Sequence, residues 1–143
     1  MKRIILLLTV SFLAGCAGIQ IPPDQENQRT FTQESNKSYQ DAYRIIAKQM
    51  RACYRAIGWF GNGYDVQADL DTANKRGTVE LYYVGFTGAQ KPEDSVFSRT
   101  VTISDAPSGS IISTTGTTPK YVYVTHKTIP TWLDGIDSCG PKK

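Results

Sequence analysis

Histidine is almost missing from this chain of 143 residues: His126 is the single one. With one imidazole, no HExxH and no Gly-x-Ser-x-Gly, zinc hydrolysis and the common serine triads lack their parts. No residue cluster asks for a metal or any other cofactor, so none is expected. Cysteine is scarce too, with only Cys16, Cys53 and Cys139. Long apolar runs are lacking: the stretch from Ile4 to Leu13, broken by Thr9 and Ser11, falls well short of the roughly 20 residues that a membrane-spanning helix needs.

What that short run does have is its flanks. Lys2 and Arg3 precede it, and Leu13-Ala14-Gly15-Cys16 ends it. A basic start, an apolar centre and small residues before the cut are the architecture of a secretory signal. The four residues into Cys16 resemble the lipobox of bacterial lipoproteins. The resemblance covers Met1 to about Ala17 and leaves the family of the following domain unrecognised. It implies removal of residues 1–15, acylation of Cys16 as the new N-terminus, and a stable anchor, since two or more acyl chains hold a protein to a bilayer durably. Ala17 follows the cysteine in place of an aspartate, which implies the outer membrane, with the domain facing the periplasm.

Loss of Lys2 and Arg3 with the leader takes the formal charge from +3 to +1. The basic character of the whole sequence is then no argument for a nucleic-acid partner. Residues 16–37 are polar, with Pro22-Pro23 and then Asp24 to Gln28, and read as a flexible tether. Residues 38–143 are expected to form one domain.

That domain reads as α+β. Ser38 offers an N-cap, with Asp41 in the first turn. From there Tyr39, Ala42, Tyr43, Ile46, Met50, Cys53, Tyr54 and Ile57 recur at three- and four-residue steps, predicting an amphipathic helix that Gly58 ends. Alternation then predicts strands over Tyr64–Leu70, Thr78–Phe86, Val96–Ser104, Ile111–Thr117 and Tyr121–Lys127. Short polar turns between them favour a five-stranded antiparallel meander, with the helix across one face. A short C-terminal helix is expected from Pro130, carrying Trp132, Leu133 and Ile136 on one side.

Acylation of Cys16 leaves Cys53 and Cys139 as an even pair in an oxidising compartment, and a disulfide between them is expected. The alternative is two separately buried thiols. Opposite the apolar stripe of the helix lie Arg44, Lys48, Arg51 and Arg55, which are the candidate contact for an acidic envelope protein or for anionic headgroups. Asp65, Asp69 and Asp71 are close enough in sequence to raise acid–base work, but solubility of a strand edge explains them as well. Tyr82, Tyr83, Tyr121 and Tyr123 suggest cross-strand aromatic pairs before they suggest a glycan platform. The combined expectation is a non-enzymatic lipoprotein with a binding or envelope-assembly role. The alternative is a carrier holding a small apolar or glycan ligand between helix and sheet, in a pocket among Met50, Tyr54, Leu81 and Phe97.

Overall fold

The computed structural model describes residues 20–58, 62–85, 88–89 and 98–141. The leader, Cys16, Trp59, Phe60, Phe86, Thr87, residues 90–94 of the loop that follows, Val96 and Phe97 lie outside them. In chain order the elements are a turn of 3₁₀-helix (Pro23–Gln25), β1 (Thr30–Ser35), α1 (Tyr39–Tyr54), β2 (Ala56–Ile57), β3 (Gly63–Asp71), β4 (Arg76–Gly85), β5 (Gly88–Ala89), β6 (Arg99–Ala106), β7 (Gly109–Gly116) and α2 (Pro119–Leu133). The class is α+β. Six strands run in the order β1-β7-β6-β4-β3-β2, and β5 folds back on β4. Every pairing is antiparallel.

Helix α1 starts as its sequence requires. The Ser38 hydroxyl accepts from the Asp41 amide at 3.2 Å and donates to the Asp41 carboxylate at 2.8 Å, satisfying one of the free amides of the first turn. Its end differs from the expected one. The chain turns extended at Arg55 (φ −69°, ψ 117°), and Ala56-Ile57 pair with Gly63-Tyr64 instead of continuing the helix. Gly58 is therefore no helix cap; its amide donates to the Asn62 carbonyl at 2.8 Å.

Two larger corrections concern the sheet. The stretch read as tether contains β1, which pairs with β7 from Thr30↔Thr115 to Ser35↔Ser110. Ahead of it, Gln25 and Gln28 amides close turns onto Pro22 and Gln25 carbonyls, and Ile21 packs on Phe31, Val122 and Tyr123. Conversely, Tyr121–Lys127 is no strand but the middle of α2. Its residues alternate in polarity, yet Val122, Thr125, Ile129 and Trp132 also recur at steps of three, four and three, and all four are fully buried. The helical period prevails because it lays one continuous stripe on the sheet, with Pro119 in the first turn.

Pro130 lies inside α2, not at the start of a separate helix. A proline here removes the amide that would bond the carbonyl four residues back, which is that of His126. Gln33 of β1 donates its side-chain amide to that carbonyl at 3.3 Å, replacing the lost partner. Gly135 (φ +79°) ends α2: its amide bonds the Trp132 carbonyl, and the Ile136 amide bonds that of Thr131, a Schellman arrangement.

Both helices cover the same face of the sheet. Along the strands, Val66, Val79, Leu81, Val101, Ile103 and Ile112 point into one core with Ile46, Met50, Ile129 and Trp132. Two glycines let the helices approach. A Cβ at Gly77 would stand 2.6 Å from the Tyr43 ring, and one at Gly116 would stand 2.8 Å from Val122. No helix among the described residues is long and apolar enough to cross a membrane.

After the Gly135 turn the chain runs back over the core. The Trp132 indole donates to the Ser138 carbonyl at 2.6 Å, Gln49 bonds Asp137, and Cys53 and Cys139 are joined, with their Cα atoms 5.2 Å apart. The disulfide fastens the C-terminal segment to α1. Its 86-residue separation gives a stabilisation of about 4 to 5 kcal/mol on the chain-entropy model. Reduction, or Cys53→Ser with Cys139→Ser, should lower the urea unfolding free energy by several kcal/mol; unchanged stability on adding reductant would contradict this.

Candidate functional site

The four cations chosen from the sequence are all exposed, but they are not equivalent. Arg44 reaches Asp41 at 3.5 Å, and Arg55, beyond the helix end, reaches Asp65 at 3.1 Å. Lys48 and Arg51 stay on the outer face of α1, with no ion-pair partner among the described residues. These two cations lie three residues apart, hence on neighbouring turns of one helix face, and are what remains of the candidate contact.

The carboxylates do not assemble into an acid–base site. Asp65 pairs with Arg55 and accepts the Val66 amide at 2.9 Å. Asp71 accepts the Asn74 amide and side chain at 3.0 and 2.6 Å. Those bonds, the side-chain one first, pull its pKa below the ordinary aspartate value, and its work is to hold the β3–β4 turn. Asp69 lies on the open face of the sheet.

That face carries the side chains that alternate with the core. The strand register sets Thr30, Thr115, Thr100, Glu80 and Gln67 in one row, and Thr32, Ser113, Thr102, Thr78 and Asp69 in the next. Hydroxyls bridge neighbouring strands at 3.2 Å (Thr30–Thr115) and 3.0 Å (Thr32–Ser113). Gln67, Asp69, Thr78 and Glu80 line a hollow of about 320 Å³.

The tyrosines divide by element. Of the four, Tyr83 makes a cross-strand pair, but with Tyr64, which was not among them, edge to face at 5.5 Å. Tyr121 and Tyr123 lie on α2 and serve other contacts. Tyr123 packs edge-on to Phe31 at 5.5 Å, and Lys127 stands 5.5 Å above its ring. His126 stacks on Phe31 at 5.4 Å. Burial, assisted by Lys127, lowers its pKa, so the ring is neutral at pH 7 and structural in role.

The feature that sequence reasoning passed over is Arg99. Strand alternation puts it on the same face as Val101 and Ile103, and that face is the core. Only 7% of Arg99 is exposed, and no carboxylate among the described residues pairs with it. One guanidinium nitrogen donates to the Tyr121 carbonyl at 3.2 Å and to the Thr125 hydroxyl at 2.9 Å. Its centre lies 4.4 Å from the Tyr54 ring and 5.7 Å from that of Tyr121. Burial lowers its pKa, opposed by Tyr54, Tyr121 and Tyr64, yet an arginine so placed stays charged at any ordinary pH. Arg99 thus ties the last residue of α1 to the first turns of α2 through π faces and hydrogen bonds rather than an ion pair. A single arginine in a polar strand start carries no periodic signal; only its parity with Val101 and Ile103 marked it.

Truncation would leave a cavity and take a charged donor away from the Thr125 hydroxyl and the Tyr121 carbonyl. Arg99→Ala should therefore lower the unfolding free energy by about 3 kcal/mol. Arg99→Lys should recover little, because an ammonium has no flat face to lay on Tyr54 while reaching both acceptors. Urea titration checks both; a loss below about 0.5 kcal/mol for the alanine variant would contradict the role.

The chain as a sequence matches no protein-family model and no curated protein.

Proposed function

We propose that the mature chain is a lipid-anchored, non-catalytic binding domain at the periplasmic face of the outer membrane, which meets an acidic envelope partner through the outer face of α1. The observation that carries the reading is the pair Lys48 and Arg51, exposed and without a carboxylate among the described residues. A cation already neutralised by a neighbour gains little from a new partner, whereas a free one contributes its full field to encounter and orientation. Arg44 and Arg55 accordingly move from the centre of the surface to its border. The lipobox ending in Cys16 supports the anchor.

The carrier reading has less support. Between helix and sheet, where that alternative places its ligand, Met50, Leu81 and Trp132 are packed and fully buried, while Phe97 lies outside the described residues. Among the described residues the hollow on the open sheet face is lined by Gln67, Asp69, Thr78 and Glu80, all polar.

Crosslinking in cells from position 48 or 51, followed by mass spectrometry, identifies the partner. With that partner in hand, Lys48→Glu with Arg51→Glu should weaken association roughly tenfold at low salt and leave thermal stability nearly unchanged. The same reversal at Arg44 and Arg55 should weaken it less. Equal effects from both pairs, or none from either, would overturn the proposed surface.

A further inference from the structure

The anchor reading has a geometric consequence, because the residues between Cys16 and the folded domain are few. Ile21 is packed on the Phe31–Val122–Tyr123 cluster, and the following residues are bound by the Pro22–Gln25 and Gln25–Gln28 turns and by the Gln28 side chain on the Thr30 carbonyl. Only five residue steps therefore separate Cys16 from the first packed residue, Ile21, where the sequence suggested a tether as far as Lys37. Five residue steps reach at most about 18 Å even fully extended. A leash of that length cannot hold a domain away from the bilayer to which its first residue is fixed.

We infer that the mature protein rests against the bilayer that carries its own lipid, on the end of the sheet where β1 begins. The inference depends on the anchor reading and would fall with it. The contact is centred on Ile21, with Arg29 at the entry to β1 and Lys120 and Lys127 on α2. Those two lysines flank Tyr123 at steps of three and four and so share its side of the helix. Lys127 lies over the Tyr123 ring, which touches Phe31 of the same cluster. All three cations are exposed and suit the phosphates of lipid headgroups. Asp24 and Glu26, also exposed in the entering segment, offset part of that charge, so the leash fixes the orientation and the lysines refine it. At the opposite end, the β6–β7 turn with Ser108 lies about 24 Å along β7 from Thr115.

The test uses the full-length, lipidated protein in vesicles whose headgroups carry a nitroxide. A fluorophore is attached to Lys120→Cys in one variant and Ser108→Cys in another, the native pair being bonded. Quenching at 120 should exceed that at 108 by about threefold or more. A Gly/Ser spacer of about twelve residues between Ile19 and Gln20 should abolish most of the difference. Equal quenching at both positions, or a difference that survives the spacer, would overturn the inference while leaving the anchor intact. A mass spectrum without acyl groups on Cys16 would instead remove the anchor, and the inference with it.

Discussion

Pairing of β1 with β7 is the constraint on which the rest of this molecule depends. The two strands join residues about eighty positions apart, from Thr30↔Thr115 to Ser35↔Ser110. Once that register forms, the chain leaving β1 must carry α1 across the sheet to the far edge, where Ala56-Ile57 pair with β3. The chain leaving β7 must return over β7 and β1 as α2. Both helices thus fall on one face. The side-chain period of two then divides each strand into core residues and a hydroxyl-rich outer set.

Three contacts couple this frame to α2. Phe31 packs against Val122 and Tyr123, Gln33 satisfies the carbonyl freed by Pro130, and Gly116 admits Val122 at close range. From the other side, Arg99 binds the first turns of α2 and lies under Tyr54 at the end of α1. The disulfide and the Trp132–Ser138 bond complete the connection between the helices. The same arrangement leaves Lys48 and Arg51 on the outside of α1 without an ion-pair partner among the described residues, and fastens the N-terminal lead to the domain by Ile21.

The legible parts of the sequence were those with one strong local signal. Ser38 with Asp41 marks the start of α1, and the alternation through Val66, Val79 and Val101 marks β3, β4 and β6. The Cys53–Cys139 pairing followed from counting thiols once Cys16 was set aside. The misread parts carry two signals or too weak a one. Tyr121–Lys127 alternates like a strand and also repeats like a helix, and only packing on the sheet decides between them. β1 has one apolar inward residue, Phe31; its other inward positions are Gln33 and Ser35, so its pattern resembles a solvated tether. The four cations were correctly placed outside the core, but they are not one helix face: Arg44 meets Asp41 one turn back on α1, and Arg55, beyond the helix end, meets Asp65, a strand residue that reaches it only in three dimensions.

Amide hydrogen exchange along residues 20–35 tests this account most directly. If β1 is the strand that closes the sheet, its amides facing β7 should exchange far more slowly than an unstructured segment, with protection that approaches that of β7 and is lost together with that of α2. Exchange of the Thr30–Ser35 amides at the rate of a free chain, while β7 and α2 remain protected, would contradict it.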